Sequence, residues 1–181
     1  MNIVNLGLVC SQMFMLQNKR EPREGNIMKK LSIIVPCYNE GEVIQKTAYE
    51  ILKQLQNIPY NLEILFVNDG SKDSTLKQLK ELSMQNEAFK YLSFSRNFGK
   101  ESAMFAGLNA CTGDCAIIMD ADLQHPPEII PQMLEKYEQG YDQVIAQRNR
   151  TGDSKSGSFF AKTYYKIVNN LVDVKLVDGA G

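Results

Sequence analysis

Short apolar runs alternate with segments of helical periodicity along most of this chain, and this alternation constrains its fold more than any other feature. Five runs of five or six residues read as buried strands, at 31–36, 62–67, 91–95, 115–119 and 143–147. Between them, apolar residues recur at helical spacing within 43–55, 76–82, 99–110 and 127–137. This order predicts an α/β fold with a mostly parallel central sheet and helices on both faces.

Composition excludes several classes of protein. The chain has 181 residues, of which 44% are hydrophobic, so it can form one domain with its own core. Its formal net charge of −1 gives no global basic field, and nucleic-acid binding is not expected. No apolar run reaches the roughly 18–20 residues that a membrane-spanning helix needs.

The four cysteines do not form the pattern of a metal site. Cys111 and Cys115 make a Cys-x-x-x-Cys pair, but no second pair and no flanking His accompany it. Cys10 and Cys37 lie far from that pair along the chain. Unpaired thiols in mostly apolar surroundings indicate a reducing compartment.

The first 27 residues differ from the rest of the chain. Residues 3–16 are apolar-rich, but they lack the preceding charge and following cleavage site of a secretory signal. We expect residues 1–27 to be a leader, either poorly ordered or forming at most one short, loosely packed helix. The domain is then 28–181, and we expect it to be incomplete at its C-terminus, because the pattern stops midway.

Polar and charged residues follow every predicted strand. These segments are 36–40, 68–73, 96–100, 120–127 and 148–150. In parallel sheets, ligands bind at the carboxyl ends of the strands. The sequence therefore predicts that carboxylates, an aromatic side chain and cations converge on one rim of the sheet.

Two nucleotide-binding motifs are absent at these strand ends, and a third pattern is present. No Gly-x-Gly-x-x-Gly follows the first strand, and Phe94 stands where a P-loop ending in Gly99-Lys100 needs its first glycine. Asp120 and Asp122, two residues apart, can share one Mg²⁺ or Mn²⁺ and leave positions open for phosphate oxygens. Taken alone, the same pair could equally be helix-capping aspartates in a polar turn.

Three motifs in this order resemble the family 2 glycosyltransferases with the GT-A fold. They are Pro36-x-Tyr38-Asn39-Glu40, Asn68-Asp69-Gly70-Ser71-x-Asp73 and Asp120-Ala121-Asp122-Leu123-Gln124-His125-Pro126-Pro127. Within that family, the sequence is most similar to the polyprenyl-phosphate sugar transferases, the bactoprenol glucosyltransferase and dolichyl-phosphate mannosyltransferase group. The resemblance covers about residues 30–181 and implies a Rossmann-like, nucleotide-sugar-binding fold.

The resemblance also implies a set of donor-binding residues. They are Pro36, Tyr38, Asn39, Glu40, Asp69, Ser71, Lys100, Asp120, Ala121 and Arg148. Tyr38 would stack on the base, and Asp69 would accept a ring N–H of the base, although Asp69 could also cap the helix near Ser74. Arg96 and Arg150 are further candidates for phosphate contact, with solvated surface charge as the alternative.

Catalytic and metal-binding roles follow from the same resemblance. Asp120 and Asp122 are the expected catalytic residues, and Asp122 and Gln124 are the expected ligands of Mg²⁺ or Mn²⁺. A direct catalytic role is not expected for His125, the single histidine of the chain. We assign no general base and expect it to lie beyond Gly181.

The implied reaction is metal-dependent, inverting transfer of a sugar from a nucleotide diphosphate sugar to a polyprenyl phosphate. A UDP-sugar is the favoured donor, with GDP-mannose as the alternative. The parent protein would work at the cytoplasmic face of the membrane through C-terminal segments absent here, whereas this fragment would be soluble and cytoplasmic. A homo-oligomer is left open.

Three other functions compete with this one. The chain could be a donor-binding fragment with little transferase activity, or a glycosyltransferase that acts on a cell-wall or polysaccharide hydroxyl. A nucleotidyltransferase also uses metal-bound carboxylates, but the Gly-rich phosphate loop typical of that class does not follow the first strand. The residues do not identify the sugar.

Overall fold

The computed structural model describes residues 3–7, 11–17, 28–122 and 126–147. Its strands are β1 (Ile3–Gly7), β2 (Ser11–Gln17), β3 (Lys30–Cys37), β4 (Asn61–Asn68), β5 (Phe89–Ser93), β6 (Cys115–Ile118) and β7 (Gln143–Gln147). Its helices are α1 (Ile44–Leu55), α2 (Thr75–Gln85), α3 (Lys100–Ala110) and α4 (Ile130–Glu138), the last preceded by a 3-10 turn at Pro127–Ile129. All five strands and four helices predicted between residues 31 and 147 are confirmed, with ends shifted by a few residues.

The strands form one mainly parallel sheet in the order β1-β7-β2-β6-β3-β4-β5. β3 pairs in parallel with β4 on one side and with β6 on the other, and β5 extends the sheet beyond β4. The chain thus proceeds outward from β3 to β5 and then returns to the opposite side of β3. That reversal creates a crevice at the carboxyl ends of β3 and β6, where ligands bind in open α/β sheets.

Helices cover both faces of the sheet, as predicted. Apolar side chains of α1, α2 and α4 pack on one face, in the larger of the two buried clusters that the described residues form. The other face carries a smaller cluster around Ile34, Leu65 and Val67, against which α3 packs through Ala103. Gly107 allows this close approach, because a Cβ there would lie 2.4 Å from Ile34 Cγ2. The α/β class is therefore confirmed.

The N-terminal segment differs from its predicted conformation. β1 pairs in parallel with β7 at one edge of the sheet. β2 lies between β6 and β7 and pairs antiparallel with both of them. The expectation of a disordered leader or a short helix is therefore wrong for Ile3–Gly7 and Ser11–Gln17. These runs are short and apolar, and such runs also suit strands when a sheet offers them pairing partners. Whether the domain begins at residue 28 stays a prediction.

A buried carboxylate joins three strands and the chain before β6 at the amino ends of the strands, opposite the crevice. The Glu63 side chain is 2% exposed. Its Oε1 lies 2.8 Å from Lys90 Nζ and 3.4 Å from Lys30 Nζ, and its Oε2 accepts hydrogen bonds from Ser32 Oγ and Thr112 N. Burial acts to raise the pKa of Glu63, but these hydrogen bonds outweigh it and lower the pKa to about 2.

Two further findings bear on the predictions. Within the segments that the structure covers, no helix is both long and apolar enough to cross a bilayer. Cys37 and Cys115 are buried free thiols, and Cys111 is also buried. The predicted strand-end residues 123–125 and 148–150 lie outside the described residues.

Candidate functional site

A pocket of about 350 Å³ opens at the carboxyl ends of β3, β4 and β6, at the crevice described above. We call it the rim pocket. It is lined by Pro36, Cys37, Tyr38, Glu40, Asp69, Asn97, Gly99, Lys100, Ala103, Asp120, Ala121 and Asp122. Carboxylates, a tyrosine ring and a lysine thus share one concave surface, as the strand ends predicted.

The loop after β3 forms one wall of the rim pocket. Tyr38 is 42% exposed there, so its side chain is accessible to a ligand in the pocket. Asn39 has φ 57°, a left-handed conformation that Asn tolerates better than most residues. Its backbone N–H donates to Ser71 Oγ at 2.9 Å, and its Oδ1 accepts from Lys72 N at 2.9 Å. The loops after β3 and β4 therefore hold each other in place.

Asp73 ties the start of α2 to the loop after β3. Its Oδ1 accepts from Thr75 N at 3.0 Å, and its Oδ2 accepts from Gly41 N at 2.9 Å. Burial acts to raise the pKa of Asp73, but hydrogen bonds from the Thr75 hydroxyl, Thr75 N and Gly41 N lower it overall. Asp73 thus caps the start of α2 by accepting a hydrogen bond from the backbone N–H of its first residue.

The turn after β6, which carries Asp120, continues the pairing between β6 and β3. Beyond the end of β6, Met119 N donates to Ile34 O at 3.0 Å, which continues the β3–β6 ladder. The buried Thr47 hydroxyl of α1 donates to Ala121 O at 2.6 Å. Both contacts fix the backbone of the turn that carries the two aspartates. Lys100 Nζ lies 2.6 Å from Asp120 Oδ1 across the rim pocket.

Acidic side chains outnumber basic ones among the residues that line the rim pocket. Burial raises the pKa of Glu40, and the nearby charges of Asp122, Asp73 and Asp120 raise it further. Burial also raises the pKa of the Cys37 thiol to about 12, so this cysteine is not a thiolate at neutral pH. A divalent cation would reduce the repulsion among these carboxylates, and hard oxygen ligands suit Mg²⁺ or Mn²⁺.

The donor set fits such a cation only in part. Asp120 and Asp122 can supply carboxylate oxygens from one turn. Among the residues that the structure covers, no group of three His, Cys, Asp or Glu side chains is arranged to hold a metal. Oxygen atoms from a bound diphosphate and from water would complete the coordination, as is usual for Mg²⁺ sites.

Most of the predicted site residues meet in the rim pocket. Those that line it are Pro36, Tyr38, Glu40, Asp69, Lys100, Asp120, Ala121 and Asp122. Asn39 and Ser71 do not line it and instead bond to each other. The predicted residues Gln124 and Arg148, together with His125 and Arg150, lie outside the described residues.

Other residues at the site had no predicted role. Cys37, Asn97, Gly99 and Ala103 line the rim pocket. Cys37, Asn97 and Gly99 lie within the segments that follow predicted strands, at 36–40 and 96–100. Their position after a strand could therefore have identified them as pocket residues. Arg96 points its guanidinium onto the Phe98 ring, 4.7 Å from the ring centroid.

Comparison with known proteins supports the family that the motifs indicated. The family model described as glycosyl transferase family 2 matches residues 32–177. CsbB of Bacillus subtilis, which carries a glycosyltransferase name, is 50% identical over 151 residues, covering 83% of this chain and 46% of that protein. A bactoprenol glucosyl transferase of Shigella phage SfX is 41% identical over 154 residues, covering 84% and 50% of the two chains. The chain thus spans about half the length of the curated relatives it matches.

Solved structures are more distant. A mannosyltransferase of Pyrobaculum calidifontis in complex with GDP-Man and Mn²⁺ aligns over 54% of this chain and 28% of its own, with 24% identity and a TM-score of 0.47. Glucosyl-3-phosphoglycerate synthase of Mycobacterium tuberculosis in complex with UDP aligns over 66% and 47%, with 20% identity and a TM-score of 0.48. Membership rests instead on the family match, which covers most of the chain: this protein belongs to glycosyl transferase family 2.

Proposed function

We propose that the rim pocket binds the nucleoside diphosphate of a sugar donor, and that the protein transfers the sugar to a polyprenyl phosphate. One observation carries this proposal. Tyr38, Lys100, Asp120 and Asp122 converge in one pocket, at the switch point of the sheet, in a chain of glycosyl transferase family 2. Each of these side chains suits a different part of such a donor.

The donor's base and phosphates have separate partners in this proposal. The exposed ring of Tyr38 offers a stacking surface for the base, worth roughly 1–3 kcal/mol by analogy with nucleic-acid sites. Lys100, the first residue of α3, supplies a cation for the diphosphate. Pro36, Glu40 and Ala121 complete the walls of the rim pocket.

Asp120 and Asp122 would hold Mg²⁺ or Mn²⁺ together with phosphate oxygens, with Gln124 as a further ligand. Bound there, the cation would neutralise the negative charge that the departing diphosphate gains. The two carboxylates follow one strand end and share one pocket, which is what a single hard cation needs of its protein ligands.

A phosphate acceptor needs less help from a general base than a sugar hydroxyl does. A phosphate monoester has a second pKa of about 6 and is mostly dianionic at neutral pH, so it needs less deprotonation than a sugar hydroxyl. Attack on the face opposite the diphosphate would invert the anomeric centre. The relative named bactoprenol glucosyl transferase supports this acceptor class and a glucosyl donor, and we propose a UDP-sugar as that donor. A lipid acceptor also implies work at a membrane surface, and we propose the cytoplasmic face.

The proposal is tested by measuring sugar transfer and donor binding in parallel assays. Radiolabelled UDP-glucose and GDP-mannose are each incubated with undecaprenyl phosphate, Mn²⁺ and the protein, and label is counted in the lipid fraction. We expect lipid-linked label with UDP-glucose and, by calorimetry, metal-dependent binding of UDP. Binding without transfer would instead favour a donor-binding fragment. Transfer to a polysaccharide hydroxyl, and not to the lipid, would overturn the proposed acceptor.

A further inference from the structure

Lys100 and Asp120 form an ion pair across the rim pocket. Lys100 is the first residue of α3, and Asp120 follows β6. Lys100 Nζ lies 2.6 Å from Asp120 Oδ1, and the two side chains are 49% and 27% exposed. Water therefore reaches the pair and weakens the attraction between the two charges. The ammonium can consequently leave the carboxylate at a small cost in free energy.

The backbones on both sides of this pair are held more firmly than the pair itself. The hydrogen bonds of Met119 and Ala121 fix the turn that carries Asp120. α3, which carries Lys100, packs closely on the sheet at Gly107. Because a lysine side chain is a flexible four-carbon stem, its ammonium can move within the rim pocket while both backbones stay in place.

The described residues that line the rim pocket carry four carboxylates and one ammonium. The carboxylates belong to Glu40, Asp69, Asp120 and Asp122, and the ammonium is that of Lys100. Lys100 therefore offsets part of the negative charge of the rim pocket. It does so at Asp120, one of the two residues proposed to hold a divalent cation.

A cation held by Asp120 and Asp122 would need a carboxylate that Lys100 already contacts. Two cations on one carboxylate repel each other, and the repulsion grows with the product of their charges. Within the described part of the chain, no three His, Cys, Asp or Glu side chains are arranged to hold a metal, so the cation also depends on diphosphate oxygens. The ammonium and the cation are thus competitors for Asp120, whereas a diphosphate attracts both.

We propose that Lys100 is an internal counter-ion that competes with the divalent cation for Asp120 and turns to the donor's diphosphate when that diphosphate binds. The inference rests on the proposed function and deepens it. Lys100 keeps the affinity for the cation low until a diphosphate draws the ammonium away. The cation and the donor therefore promote each other's binding, and thermodynamic linkage makes this effect reciprocal. A lysine that only contacts phosphate would have no effect on the binding of the cation alone.

The experiment measures Mn²⁺ binding with and without UDP. Free Mn²⁺ is quantified by electron paramagnetic resonance, and UDP affinity by calorimetry, for the wild type, Lys100→Met and Lys100→Arg. Without UDP, Lys100→Met should bind Mn²⁺ at least roughly threefold more tightly, because a partly exposed ion pair no longer competes for Asp120. With Mn²⁺ present, the same variant should bind UDP roughly tenfold more weakly, because a charged hydrogen bond to phosphate is lost. Lys100→Arg keeps the charge and should bind Mn²⁺ alone no more tightly than the wild type.

Two further variants separate this exchange from a general effect of charge. Lys72→Met changes the net charge equally, and the exposed Lys72 follows β4 at the same edge of the sheet without lining the rim pocket. It should alter Mn²⁺ affinity by less than about twofold, because salt screens exposed charges. Asp120→Asn removes the carboxylate for which both cations compete. Adding Lys100→Met to Asp120→Asn should therefore give no gain in Mn²⁺ affinity.

The outcomes are distinct. Unchanged Mn²⁺ affinity in Lys100→Met would overturn the exchange, and so would an equal gain in Lys72→Met, which would indicate a general effect of charge. A gain of the same size in the Asp120→Asn background would also overturn it, since Lys100 would then act at another group. All three results leave UDP binding by the wild type unaffected. A wild type that binds no UDP with Mn²⁺ present would instead overturn the proposed function, and with it this role.

Discussion

Replacing Glu63 should destabilise the protein strongly and leave the rim pocket intact. Its carboxylate is buried and joins β3, β4, β5 and the chain before β6 through two lysines, a serine and a threonine. Glu63→Ala leaves those donors facing an empty space at the amino ends of the strands. Removing one partner of a buried charge network costs about 3–5 kcal/mol, a large part of a typical domain's 5–15 kcal/mol.

The pH dependence of stability gives an independent measure of the same network. The pKa of Glu63 falls from 4.5 to about 2 in the folded protein, so its contribution is complete above 4.5 and is lost as pH falls towards 2. A shift of this size corresponds to about 3 kcal/mol. Glu63→Gln keeps the size of the side chain but cannot ionise, so its stability should lack this component of the pH dependence.

Urea unfolding followed by far-UV circular dichroism measures both effects, since the chain has no tryptophan. Glu50→Gln is the matched control, because Glu50 pairs with Lys53 on the surface of α1, and this change should cost less than about 0.5 kcal/mol. At pH 7, Glu63→Gln should fall between the control and Glu63→Ala. A loss below about 1 kcal/mol for Glu63→Ala would refute the reasoning, as would wild-type pH dependence in Glu63→Gln.

Three further changes test the packing around the site. Gly70→Ala should lower the free energy of unfolding by at least about 1–2 kcal/mol, which is roughly the cost of a left-handed non-glycine residue. The new Cβ would also clash with the Arg96 backbone. The melting temperature and the affinity for UDP should therefore both fall. Gly107→Val should push α3 away from Ile34 at a cost of about 1–3 kcal/mol, seen as a lower urea midpoint, whereas an unchanged midpoint would contradict the close packing. Asp73→Ala removes the cap of α2 and should cost about 1 kcal/mol, with faster amide exchange confined to the first turn of that helix.

The central strands were predictable because strands that are buried on both faces have a simple sequence pattern. From Leu31 to Cys37, every residue of β3 is buried, since helices cover both faces of the sheet. Such strands read as continuous apolar runs, and the helices between them show one apolar stripe. β1 and β2 were not predictable in this way. Their partners β6 and β7 lie about 100 to 140 residues further along the chain, and a short apolar run does not distinguish strand from helix.

The location of the site followed from topology, whereas its internal contacts did not. Parallel strands bring their carboxyl ends to one edge, so the motifs carrying Tyr38, Asp69 and Asp120 had to meet there. The sequence does not specify which atoms bond across the loops. Asp69 accepting two amides before α3, and Lys100 lying against Asp120, depend on loop paths that residue types alone do not determine.

The central claim is that the rim pocket binds a nucleoside diphosphate with a divalent cation held by the aspartates after β6. Calorimetric titration of UDP into the wild type and Asp122→Ala, each with and without Mn²⁺, tests it most directly. We expect the wild type to bind UDP in a metal-dependent way, and Asp122→Ala to lose that dependence while its circular dichroism spectrum is unchanged. UDP binding to Asp122→Ala with the same Mn²⁺ dependence as the wild type would contradict the account.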